Sequence, residues 1–149
     1  MEVVVRRSES KRIDPDVGIL AGRVLFAFQR ELFTALAAQG HDRLRPRHGA
    51  VLAHLDREGS RATDLSALSG QHKQVIGTLV DELVDLGYVE RRPDPDDRRA
   101  KLIVPTERGL DQMAKADALV SEIERRYAEK VGAEEWAAFK HAFRKITES

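Results

Sequence analysis

Four side chains able to read a nucleic-acid base stand in one row: Gln71, His72, Lys73 and Gln74, with Gly77 and Thr78 one turn on. A glutamine amide pairs with adenine through two hydrogen bonds, and lysine donates to guanine or phosphate. If the row opens a helix, its unpaired backbone N–H groups add an affinity for phosphate. A second cluster, Asp96-Asp97-Arg98-Arg99, lies further along. A guanidinium carried on a thin loop can enter the minor groove, where narrow A/T tracts concentrate negative potential. Asp97 beside Arg98 and Arg99 would hold one arginine or the loop backbone; as a plain surface ion pair it would contribute little. Arg61 and Thr63 are further candidates for phosphate contact. Arg91, Arg92 and Lys101 could also reach phosphate, although such residues are commonly just solvated.

These residues need a helix and a hairpin to position them. Val75, Leu79, Leu83 and Leu86 recur at helical spacing, widened by Ile76 and Val80. Gly77 weakens that helix by roughly 1 kcal/mol relative to alanine, so close approach to a DNA edge or to another helix is expected there. Gly87 stops the helix. Residues 88–91 and 101–104 then read as paired strands, joined by PDPDDRRA as a turn. Upstream, Ser60, Thr63 or Asp64 can cap a short helix holding Leu65 and Leu68, and Ser69-Gly70 turns into the next. Two short helices joined by such a turn make a helix-turn-helix. A helix starting at Arg45 or Pro46 and closed by Gly59 precedes them. Before it, Asp14 or Asp16 caps a long helix with Val17, Leu20, Val24, Leu25, Phe28, Leu32 and Leu36 on one stripe. After the hairpin, Thr106 and Glu107 open another long helix, which Gly132 breaks. Residues 134–147 form the last, with Trp136, Phe139, Phe143 and Ile146 on one face. The fold class is mainly α with a small β-hairpin wing. The apolar stripes at the two chain ends exceed what a compact winged core can cover; a second copy of the chain is the simplest cover, and an intramolecular bundle is the alternative.

The run LVDELVDLGYVERRPDPDDRRAKLIVPTERG, from Leu79 to Gly109, resembles the recognition helix and wing of the MarR family of bacterial transcription regulators. In that family a D-x-R element in the wing precedes a strand and then T-x-x-G, which opens a long helix. Here these are Asp97-Arg98-Arg99 and Thr106-Glu107-Arg108-Gly109. A weaker likeness runs from about Asp16 to the C-terminus. The resemblance implies a single domain over 1–149. Within it, a winged helix-turn-helix at about 45–105 is flanked by N- and C-terminal dimerisation helices at about 14–40 and 106–149, after a loosely ordered start at 1–13. It implies a homodimer on a pseudo-palindromic DNA operator, and a repressor released by a small effector such as an aromatic acid. Such ligands sit at the junction of the two parts, where Arg47 or His48 could meet a carboxylate. Two positions depart from the family pattern: His72 replaces a capping Ser or Thr, and Thr78 replaces a longer polar or basic side chain. Both bear on which bases are read.

Composition sets outer bounds. The chain has 149 residues, with 25 Lys plus Arg against 25 Asp plus Glu, so DNA binding must come from where the basic residues sit. With no cysteine, thiolate metal sites and thiol redox switches are excluded. No pair among the five histidines has i, i+4 spacing. No metal site, cofactor or catalytic motif is expected, so the chain reads as a non-enzyme. No apolar run approaches membrane-spanning length, and the N-terminal order of apolar before basic residues is wrong for a signal peptide; the reading is cytoplasmic. Two alternatives remain: a winged-helix protein-interaction module without base readout, and a metal-responsive regulator.

Overall fold

The computed structural model describes residues 4–148. The chain runs through α1 (Arg7–Ile13), α2 (Val17–Ala38), a 3-10 turn (Pro46–His48), α3 (Gly49–Leu52), α4 (Ala62–Ser69) and α5 (Lys73–Asp85). Then come β1 (Val89–Asp94), β2 (Asp97–Pro105), α6 (Glu107–Val131) and α7 (Ala133–Thr147). Short polar side chains start the long helices as their chemistry favours. Asp16 Oδ1 accepts the Ile19 N–H at 3.0 Å, and Thr106 Oγ1 accepts the Gly109 N–H at 3.1 Å. One core lies under the helix-turn-helix, where Ile76, Leu79, Val80 and Leu83 of α5 meet Val51, Leu52, Leu65, Tyr88, Val89 and Ile103. A second joins α2 to α6 through Leu32, Leu36 and Ile123, and Phe33 packs against both.

Several elements differ from the sequence expectation. The start, read as loosely ordered, contains the short helix α1, which buries nothing; residues 1–3 of that stretch lie outside the described residues. The helix expected from Arg45 or Pro46 to Gly59 shrinks to the 3-10 turn and the four residues of α3. The N-cap of α4 is Arg61, and none of Ser60, Thr63 or Asp64 caps it. Ser60 cannot, because its backbone pairs with Ile103 at 2.9 and 2.8 Å and its Oγ accepts the Asp56 N–H. The hairpin is longer than expected, so Arg98 and Arg99 lie on β2 rather than in a loop. Pro93 is tolerated within β1, opposite Lys101 and beside a bulge, because a two-stranded ribbon leaves an edge where no N–H is needed. The stripe on α2 is buried only at Leu32 and Leu36, while Val17, Leu20, Val24, Leu25 and Phe26 stay exposed. No residue of α7 is buried within the chain.

The two cores are joined at the base of the wing. His41 is buried between the Tyr88 hydroxyl, 2.7 Å from Nδ1, and Asp111 Oδ2, 2.9 Å from Nε2. With Nε2–H donating to the carboxylate, Nδ1 of a neutral ring accepts the Tyr88 O–H. The Arg108 guanidinium lies over the Tyr88 ring, 4.7 Å from its centre.

Candidate nucleic-acid interface

The turn into α5 is built by local bonds. Gly70 takes φ +71°, a left-handed conformation that glycine adopts at no steric cost. The Ser66 hydroxyl donates to the Gln71 carbonyl at 2.7 Å, and the Gln71 N–H donates to Ser69 Oγ at 3.2 Å. His72 then caps the helix, its Nδ1 accepting the Gln74 N–H at 3.1 Å. The imidazole thus does the work of the missing Ser or Thr. Gln71, His72, Lys73, Gln74 and Thr78 are all exposed on one end of α5. The Thr78 hydroxyl is turned back onto the Gln74 carbonyl at 3.2 Å. A Cβ built on Gly77 would meet nothing within 4 Å, so no contact within the chain requires glycine there.

The wing is shaped by two aspartates. Asp94, 5% exposed, accepts the Asp96 N–H at 2.9 Å and takes Arg61 Nε at 2.7 Å and Nη2 at 2.5 Å. The Asp96 N–H and then the Arg61 guanidinium hold its carboxyl below the usual aspartate range. Arg61 is therefore committed to the wing, while Thr63 beside it is exposed. Asp97 Oδ1 accepts the Arg99 N–H at 3.0 Å and so sets the backbone at the start of β2. The Arg98 and Arg99 side chains are exposed, and neither guanidinium has a hydrogen-bond or ion-pair partner among the described residues. Arg91, by contrast, is paired with Asp81 of α5 at 2.5 Å, and Arg92 with Glu90 at 2.9 Å.

Behind this surface, α2, α3 and α6 line an open, mainly apolar cavity of about 640 Å³, with Phe28, Leu32, Phe33, Met113 and Val120 on its walls. Arg47 lies at its edge; His48 lies outside the lining. His48 is 1% exposed and engaged on both sides. Its Nδ1 accepts the Arg45 N–H at 2.9 Å, and its Nε2–H donates to Glu82 Oε2 at 2.7 Å. Arg47 Nε donates to the same oxygen at 3.1 Å. The bond from His48, then that from Arg47, pulls the Glu82 carboxyl below its ordinary value. Gln112 also lines the cavity, 4% exposed, and its Oε1 has no hydrogen-bond partner among the described residues. Sequence reading passed over Asp94, Glu82 and Gln112. Only Asp94 had a local signal, as an acidic residue at the turn.

The architecture matches solved structures over nearly its whole length. CouR from Rhodococcus jostii RHA1, bound to p-coumaroyl-CoA, is 32% identical, with 90% of this chain and 93% of that one covered and a TM-score of 0.74. A transcriptional regulator of the MarR family from Rhodococcus sp. RHA1 is 31% identical, with 95% and 96% covered and a TM-score of 0.69. The chain belongs to the MarR family. A MarR family model also matches residues 44–100, the part from Leu44 through the wing. The transcriptional repressor CouR bound to a 23-mer DNA duplex shares the fold at 22% identity, with 97% and 99% covered and a TM-score of 0.74. No curated protein sequence matches the chain. As a MarR-family protein it is a DNA-binding transcription regulator and not an enzyme. Among the described residues no helix is long and apolar enough to cross a membrane, and no cluster of three or more His, Cys, Asp or Glu is placed to hold a metal ion.

Proposed function

We propose that this protein is a cytoplasmic homodimeric repressor, seated on a pseudo-palindromic operator and released by a small aromatic ligand. The observation that carries it is the pairing of an exposed hydrogen-bonding helix start, Gln71 to Gln74, with two unpartnered wing arginines, Arg98 and Arg99. The helix start suits the major groove and the arginines the minor groove. Thr63 adds a phosphate contact, while Arg61 and Asp97 keep the wing in shape. The exposed residues of α2 and the aromatic row Trp136, Phe139 and Phe143 of α7 favour a second copy as their cover. This divides the chain into dimerisation helices at its two ends and a DNA-binding part between them. The apolar cavity beside Arg47 supports an aromatic effector, as does the p-coumaroyl-CoA bound by the 32% identical CouR. Arg47, which lines that cavity, is our candidate to meet an effector's acid group, with His48 and Arg47 both bonded to Glu82.

The test has two parts. Light scattering of the full chain should give a dimer, and a truncation before α7 should give monomer or aggregate. Duplexes selected from source-genome fragments should bind with a steep salt dependence and be released by an aromatic acid or its coenzyme A thioester. A soluble dimer without α7 moves the interface elsewhere. Binding indifferent to duplex sequence favours the interaction-module reading.

A further inference from the structure

The first turn of α5 carries one exposed apolar side chain among hydrogen-bonding ones. Val75 is 42% exposed, although Ile76, Leu79 and Val80 beside it are buried. Successive residues turn by about 100° around a helix. The face opposite the buried residues therefore carries Gln74 and Thr78, with Val75 along its edge. Thr78 has committed its hydroxyl to the Gln74 carbonyl, which leaves its methyl as the uncommitted part. Val75, Thr78, Ala50 and Leu79 share a shallow hollow of about 310 Å³ beside the helix start with Gln71 and the ion-paired Arg47 and Glu82. Among the groups on the floor of the major groove, one is apolar: the C5 methyl of thymine.

We propose that Val75, assisted by the Thr78 methyl, reads the C5 methyl of a thymine in each operator half-site, next to the base met by Gln74. The inference rests on the reading of α5 as the major-groove helix. It divides recognition by chemistry: the Gln74 amide selects by hydrogen bonding, and Val75 selects by apolar contact. It also adds a specificity-determining residue that a search for polar readers passes over.

Uracil differs from thymine only in lacking that methyl, so replacing one by the other removes the contact and no hydrogen bond. The full chain is used with a duplex taken from a selection of random sequences, each thymine replaced singly by uracil. The wild type should lose roughly four-fold in affinity, the transfer of one methyl, at one position per half-site. Val75→Ala, folded by circular dichroism, should lose most of the difference between the thymine and uracil duplexes at that position. Indifference of the wild type to uracil everywhere, with specific binding intact, overturns the role of Val75 alone. So does a uracil sensitivity that persists undiminished in Val75→Ala. Failure to select any duplex overturns the reading of α5 and this inference together.

Discussion

Gly109 lies so close to the Tyr88 carbonyl oxygen that a Cβ on it would sit 2.1 Å away. The contact closes the junction between wing and long helix. The Thr106 N–H donates to that same carbonyl at 3.0 Å, and the Thr106 hydroxyl donates to the Gly87 carbonyl at 2.6 Å. So the turn that leaves α5 is stapled to the first turn of α6, and both residues of the T-x-x-G element have a mechanical reason. Gly109→Ala must push backbone against backbone. It should destabilise the fold by about 1–3 kcal/mol, the usual cost of overpacking, read as a lower urea midpoint. An unchanged midpoint would show that the junction yields freely.

Gly77 predicts the opposite sign. Its missing Cβ would meet nothing, so Gly77→Ala should stabilise α5 by up to about 1 kcal/mol. DNA binding should nonetheless weaken if the glycine admits a groove edge. Higher stability with unchanged DNA affinity would leave Gly77 without a role at the interface.

Helix and wing should fail differently. Arg99→Ala should weaken binding to most duplexes and reduce the salt slope by about one unit per phosphate charge no longer neutralised. Gln74→Ala should instead change which base is preferred, at a cost of about 1–3 kcal/mol at one position. Titration of both variants against single-base duplexes at several salt concentrations separates them. An Arg99→Ala protein that binds like the wild type at every salt removes the wing from the interface.

The Glu82 carboxyl gives the protein an acid-side dependence. Its ordinary value is 4.5 and the fold lowers it, mainly through the His48 bond. A depressed carboxylate stabilises fully above its ordinary range, and that contribution drains away as pH falls through the lowered native value. The gap in urea midpoint between the wild type and Glu82→Gln should therefore be present at neutral pH and close below about pH 4. A gap that stays constant down to about pH 3 would mean that the charge of Glu82 is irrelevant to the link between the 3-10 turn and α5.

Periodicity and caps made the helices of the two ends and α5 legible, because their signals are local: Asp16, Thr106 and the row Ile76, Leu79, Val80, Leu83. The hairpin was legible in kind but not in length, since Pro93 reads as a breaker unless the strand is known to be an edge. The segment 53–60 reads as helix in the sequence but is a loop, because its one core residue, Leu55, packs into the core under α5. Polar partners were least visible. Arg61 meets Asp94 33 positions away and His48 meets Glu82 34 away, and nothing in a linear pattern marks such pairs. Arg61 reads as a phosphate candidate, and nothing beside it in the sequence marks its pairing with Asp94 in the wing.

The buried bridge through His41 bears on inheritance. Tyr88 is fully enclosed and His41 nearly so, whereas the Asp111 side chain remains half exposed. Losing His41 strands a hydroxyl that water cannot reach, while losing Asp111 leaves His41 Nε2 at the solvent margin. Drift across related sequences should therefore bind positions 41 and 88 into one heritable unit and leave position 111 comparatively free. Pair counts in which 41 and 88 vary independently would contradict this.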